Sequence, residues 1–179
     1  MKAIFLRHGQ SEANVKQIID STLPGASLTQ QGINQVKNVR EKFGAIALSK
    51  CYCSPFKRTV QTFEYLDFDI PLILENRIRE FDYGKCNQSD VAEVSTKIKE
   101  FFKNASLGQR TMRFGGNGET FQEFNERVIS FWEELQRKRE NVLVITHESV
   151  IIEILKQYSG DEGEFEDRVE FAFPFVFDL

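Results

Sequence analysis

The chain has 179 residues, 41% of them apolar, which is enough for one sizeable hydrophobic core and short for two independent ones. Its formal net charge of -4 gives no overall basic field and no local basic patch stands out, which argues against a nucleic-acid-binding role. Nothing approaches the roughly 18 consecutive apolar residues of a membrane span; a single domain over residues 1–179 is expected.

Lys2 to Leu6 is a short apolar run, well under the roughly 7–15 residues of a signal-peptide core, so a cytoplasmic location is the expectation. The run stops at Arg7-His8-Gly9-Gln10-Ser11, the pattern of a buried strand that delivers a polar loop at its C-terminal end, where α/β sheets host ligands. From Thr29 as N-cap, apolar residues recur at Ile33, Val36, Val39 and Phe43, giving a one-faced helix that stops near Gly44. Ile46 to Cys53 reads as a second strand that alternates Cys51 and Cys53 onto one face. Ser54-Pro55 then opens a helix, with Ser54 as N-cap, Pro55 at the first helical position and Arg58 in the first turn. With Cys86, the cysteines form neither an even disulfide set nor a Cys-x-x-Cys pair, which fits a reducing compartment and a packing role.

Ile70 to Leu74 can form a short strand, and Glu75 to Lys85 is a charged loop holding Arg77, Arg79, Glu80 and Asp82. Val91 to Phe102 is a candidate helix and Asn104 to Gly118 is rich in glycine and polar residues, so Cys86 to Gly118 (86–118) reads as a small helical excursion. Phe121, Phe124, Val128, Phe131 and Leu135 fall at spacings of three and four, defining the strongest helix, roughly Glu119 to Lys138. Asn141 to Thr146 is an apolar strand ending at His147, followed by a helical run through Val150, Ile151, Ile154 and Leu155; Val169 to Phe177 is β-prone and suits an edge strand. No repeat or low-complexity tract appears. The alternation argues an α/β three-layer sandwich, a mostly parallel central sheet flanked by helices.

The chain has two histidines and both follow predicted strands, so a parallel sheet could bring them to one edge. A strand-end histidine alone is more often structural, but His8 is flanked by Arg7 and the permissive Gly9. With no Cys pair, His-x-His or His-Glu-x-x-His spacing, neither a metal site nor a cofactor is expected. Arg7 and Arg58, each in a helix-opening context, suit a tetrahedral anion better. Taken singly, Glu80 reads as a solvated carboxylate with Asp82 as its local rival, Asn14 as a cap or turn residue, and Arg58 as a surface ion pair.

Together the motifs are more specific. Arg7-His8-Gly9-Gln10-Ser11-x-x-Asn14 resembles the signature of the histidine phosphatases, the superfamily that includes cofactor-dependent phosphoglycerate mutases. Ser27-Leu28-Thr29-x-x-Gly32 resembles the family's next turn and helix, and Cys53-Ser54-Pro55-x-x-Arg58-Thr59-x-Gln61-Thr62 its second arginine motif. Arg79-Glu80-Phe81-Asp82-Tyr83-Gly84 is similar to its acid loop, Gly118-Glu119-Thr120 to a helix start, and Thr146-His147 to its second histidine. The resemblance implies a phosphate pocket of Arg7, Asn14, Arg58 and His147, with His8 as nucleophile and Glu80 as proton donor. Mutases and phosphatases of the family share this machinery; because the chain lacks length for the elaborate cover of the mutases, hydrolysis of a small phosphorylated metabolite through a phosphohistidine is the expectation. Mutase-type phosphoryl transfer is the alternative within the family, and a non-catalytic phospho-ligand binder the alternative outside it. The chain departs from the pattern at Glu148, where the family usually has glycine. That side chain could point away from the pocket or face a cationic part of the substrate. The acid loop departs again after Gly84, where Lys85-Cys86-Asn87-Gln88 replaces the family's usual tryptophan and acidic residue.

Overall fold

A computed structural model describes residues 1–43, 46–159 and 169–179. Strands β1 (Lys2–Arg7), β2 (Lys50–Cys53), β3 (Leu72–Leu74), β4 (Val142–Thr146) and β5 (Pro174–Asp178) form one sheet in the order β3-β2-β4-β1-β5. The first four are mutually parallel, and β5 runs antiparallel along β1 at the edge. The helices are α1 (Glu12–Val15), α2 (Gln30–Val39), α3 (Lys57–Leu66), α4 (Val91–Ser106), α5 (Phe121–Lys138) and α6 (Glu148–Ser159).

The pleat divides the strand residues into two cores. Ile4, Leu6, Cys51, Cys53, Leu143 and Ile145 face α2 and α3, where they meet Val36, Val39 and Leu66. Ala3, Phe5, Tyr52, Val142 and Val144 face the other way, onto Phe124, Val128 and Phe131 of α5 and Val150, Ile151 and Ile154 of α6. Both faces are covered, so the central strands read as unbroken apolar runs and the fold is a three-layer α/β sandwich.

Several boundaries differ from the sequence reading. The second strand begins at Lys50, not Ile46. The Arg58 helix begins at Lys57 after Phe56, without a side-chain cap, because Ser54 turns its hydroxyl to another partner described below. Thr29 does cap α2, accepting from Gly32 N at 3.0 Å; the helix tightens into a 3-10 turn at Arg40–Phe43, and the expected stop near Gly44 lies outside the described residues. α5 begins at Phe121, not Glu119, after Thr120 as N-cap in a reciprocal cap with Glu123. That shift leaves Glu119 outside the helix with its side chain buried.

Residues 86–118 hold α4 and a 3-10 turn at Phe114–Gly116. Rings fasten this segment to the body: Phe101 meets Phe114 at 5.2 Å and Phe81 at 5.6 Å, and Phe81 meets Phe124 of α5 at 5.4 Å. Each buried ring contributes on the order of 2 kcal/mol by removal from water. Part of the chain's phenylalanine content is thus used to dock α4 over the acid loop.

Candidate active site

β1 and β4 are parallel neighbours with Arg7 opposite Thr146, so the residues after them, His8 and His147, leave the sheet side by side. His8 N–H donates to Thr146 O at 3.1 Å, and the two buried rings lie 5.3 Å apart. Gly9 serves close approach: a Cβ there would meet Gly32 O at 2.6 Å, and one on Gly32 would strike the Gln10 carbonyl. The second arginine motif ties these loops together, Thr62 Oγ1 accepting from Gly9 N at 3.2 Å and Gln61 Oε1 from Leu28 N at 2.8 Å.

Arg58 is 3% exposed and touches both histidines. Its Nε donates to His8 Nε2 at 3.1 Å and its Nη2 to His147 Nδ1 at 3.2 Å. A guanidinium can only donate, so both of those ring nitrogens carry lone pairs. The ring protons therefore sit on His8 Nδ1, which donates to Gly9 O at 2.7 Å, and on His147 Nε2, which donates to Ser54 Oγ at 2.8 Å. Burial first, and then the positive charge of Arg58, hold both rings well below the usual histidine range, so both are neutral. Asp20 aims the guanidinium: its Oδ2 accepts from Arg58 Nη1 at 2.8 Å and its carbonyl from Nη2 at 3.0 Å.

Arg7 donates through Nη1 to Val169 O at 2.7 Å, stacks 4.1 Å from the Phe171 ring, and pairs through Nη2 with Glu148 Oε2 at 2.9 Å. Among the described residues its buried Nε has no hydrogen-bond partner. Glu148 thus points toward the arginine, and of the two orientations left open by the sequence the one away from the pocket is not adopted. Asn14 uses Oδ1 to accept from Ser11 N at 2.9 Å and Ser11 Oγ at 2.8 Å, which leaves its Nδ2 donors for the cavity it lines.

Glu80 enters from the acid loop. Its Oε1 accepts from Ser149 Oγ at 2.5 Å and from Phe81 N at 2.9 Å, while Oε2 lies 3.6 Å from His147 Nδ1 and 4.0 Å from Arg58 Nη2. Asp82 instead closes its own turn, accepting from Gly84 N at 2.9 Å. The loop is held by Arg127 of α5. Arg127 grips Glu119 through Nε at 2.6 Å and Nη2 at 2.9 Å, and donates to the carbonyls of Arg77, Arg79 and Glu80 at 2.6, 2.9 and 3.2 Å.

These groups share a cavity of about 360 Å³ whose wall includes Arg7, His8, Asn14, Arg58 and Glu80. His147 is fully buried, with Phe56 packed edge-on to its ring at 5.1 Å, and lies against His8, Arg58 and Glu80, which line the wall. Asp20, Ser149 and the Glu119–Arg127 pair were not identified from sequence. Ser54 carries a signal, as the residue directly after a strand in the arginine motif, but its hydroxyl meets His147 and does not cap the helix. Among the described residues no group of three or more His, Cys, Asp or Glu side chains is arranged to hold a metal ion, and no helix is long and apolar enough to cross a membrane.

Residues 3–172 match the histidine phosphatase superfamily (branch 1). A probable phosphatase of Schizosaccharomyces pombe is 26% identical over 170 residues, covering 91% of this chain and 76% of that protein. A 2,3-bisphosphoglycerate-dependent phosphoglycerate mutase of Thermoplasma acidophilum is 27% identical over 168 residues, 92% of this chain and 78% of that protein. The alpha-ribazole phosphatase of Shigella flexneri superposes with a TM-score of 0.81 over 100% of this chain and 91% of its own, at 23% identity, a likeness of fold.

Proposed function

Because the chain belongs to the histidine phosphatase superfamily, we propose that it is a metal-independent phosphatase of small phosphomonoesters in which His8 takes the phosphoryl group. The observation that carries this reading is the tautomer of His8: Nδ1–H is committed to Gly9 O, and Nε2 presents a lone pair beside Arg58 on the cavity wall.

In this mechanism His8 Nε2 attacks phosphorus as the ester P–O bond breaks, and Glu80 in its acid form gives its proton to the departing alcohol oxygen. The Arg58 fork and the orphan Nε–H of Arg7 turn to the equatorial oxygens, with Asn14 Nδ2 as a further donor. Negative charge beside His147 offsets the arginine field and favours its imidazolium, adding another donor. Water then attacks the phosphohistidine, passing a proton to the Glu80 carboxylate, and the N–P bond breaks to release orthophosphate and neutral His8. The cysteines, with Cys51 and Cys53 free and buried in the core, suit a reducing, cytoplasmic setting.

The test is hydrolysis of p-nitrophenyl phosphate without added metal by the native protein and by His8→Ala. We expect turnover and an acid-labile phosphoenzyme in the first and neither in the second. Equal rates in the two proteins would overturn the enzyme reading in favour of a phospho-ligand binder. Isomerisation of 3-phosphoglycerate faster than its hydrolysis would replace phosphatase by mutase.

A further inference from the structure

Beyond the phosphoryl groups the cavity changes character. α4 presents Val91, Ile98 and Phe102 from one of its faces, and Ile152 of α6 and Phe124 of α5 complete an apolar wall. A volume near 360 Å³ leaves room for a ring-sized body attached to the phosphoryl group. Two carboxylates of α6 interrupt this wall at different depths.

Glu148 lies at the phosphoryl end, ion-paired to Arg7 and on the same wall as His8. Asp20 and Glu80 line that end too, so three carboxylates stand against the two guanidinium groups of Arg7 and Arg58. Once a phosphoryl dianion occupies those arginines, a second anion on the carbons next to the ester oxygen would meet net like charge. Lys156 also lines the cavity, but eight residues of helix place it about 12 Å further along α6. Lys99 lines it from α4. About 12 Å away, Lys156 does not relieve an anion held close to phosphorus.

Glu153 lies deeper along α6 and is 5% exposed. Its Oε1 accepts from Asn125 Nδ2 at 2.5 Å and from Gln157 Nε2 at 3.2 Å, and no cationic nitrogen pairs with it among the described residues. A carboxylate has about four acceptor positions and two are filled. The buried group lines the cavity beside Ile152 and one turn before Lys156, and its unfilled acceptor positions make a ligand N–H or O–H its complement.

We propose that the site takes phosphomonoesters whose alcohol is largely apolar, has no second anion near the phosphoryl group, and donates a hydrogen bond to Glu153. This rests on the assignment of His8 as phosphoryl acceptor. In that scheme Glu148 is a specificity-determining residue, screening substrates by charge while α4 screens them by polarity.

The experiment compares kcat/KM for glycerol 3-phosphate and 3-phosphoglycerate, which share a skeleton and differ by CH2OH against carboxylate. The native protein is expected to favour glycerol 3-phosphate by about tenfold or more, and Glu148→Gln to shrink that ratio to about threefold or less. 3-Phenylpropyl phosphate should exceed glycerol 3-phosphate by about tenfold, a preference that Ile98→Asp removes. Its para-hydroxy and para-amino derivatives identify which donor Glu153 takes: either should exceed the parent, and Glu153→Gln should diminish the gain. The proposal is overturned if 3-phosphoglycerate is used as well as glycerol 3-phosphate, if Glu148→Gln leaves their ratio unchanged, or if neither derivative exceeds the parent. All ratios are read from His8-dependent rates. Absence of such rates on every ester would defeat the function itself, whereas His8-dependent turnover favouring 3-phosphoglycerate would defeat the substrate class alone.

Discussion

The phosphoryl end of the cavity and its far wall are built by opposite means. At the first, apart from the Arg7 Nε–H, donors and acceptors meet in specific pairs: Arg58 meets two ring nitrogens and Asp20, each histidine proton has its own acceptor, and Arg127 holds three carbonyls of the acid loop. At the second, apolar side chains from three helices line a groove, with the buried Glu153 carboxylate and the Lys99 and Lys156 ammonium groups among them. An unmatched polar atom in a buried site carries a penalty of about 1–3 kcal/mol, whereas an apolar wall accepts a change of shape for less. The phosphoryl end is therefore suited to fixing a reaction, and the wall to choosing among alcohols.

Four measurements bear on that contrast. The largest effect is expected at Glu80. Glu80→Gln should lower kcat for alkyl phosphates by about a thousandfold. p-Nitrophenolate leaves without a proton, so that ester should give a burst near one equivalent per chain followed by slow turnover; the absence of a burst would remove Glu80 from the second step. Next, Asp20→Asn weakens an ion pair buried on both sides and frees Arg58 to turn. We expect about a hundredfold loss in kcat/KM for every ester alike, with about 2–3 kcal/mol lost in urea unfolding. A loss confined to apolar substrates would instead assign Asp20 to the wall. Arg127→Lys keeps the charge but gives up the fork, so kcat on alkyl esters should fall about tenfold while the step forming p-nitrophenolate barely changes.

The smallest effect per step is in stability. His8 and His147 are held neutral well below the ordinary value of about 6.5, so below that pH the unfolded chain binds protons that the folded chain refuses. Stability should therefore rise with pH up to about 6.5 and fall on acidification, by up to about 1.4 kcal/mol per pH unit for each histidine. Urea midpoints measured from pH 7 to 5 would show this, and His8→Asn should remove about half of the histidine contribution to the slope.

The same contrast separates what could be read from the sequence. β1 and β4 were legible because parallel strands covered on both faces are unbroken apolar runs, and their ends were marked by the abrupt change to Arg7-His8 and to His147. Glu80 was distinguished from Asp82 by motif alone, and the fold separates them physically by giving Asp82 to its own turn. Asp20 was silent because its partner is 38 positions away and the contact exists only once the loop before α2 folds over α3. Ser54 has the right type and place for a cap, yet its hydroxyl goes to His147, a contact spanning 93 positions. Arg127 lies on a helix whose apolar stripe dominates the pattern, and nothing local marks an arginine that turns inward.

The strand order also governs when the site can exist during synthesis. Among the described residues β1 pairs with β4 and β5, both made long after it, and β4 fills the gap between β2 and β1. The segment carrying His8 leaves the ribosome well before its sheet neighbours, and it has no strand to lie against until residues 142–146 have followed. Such a distant pairing is slow to form, and the exposed run at Lys2–Arg7 must wait for it. The placement of His8 beside His147 is therefore gained when β4 inserts, after every element between the two histidines has been made.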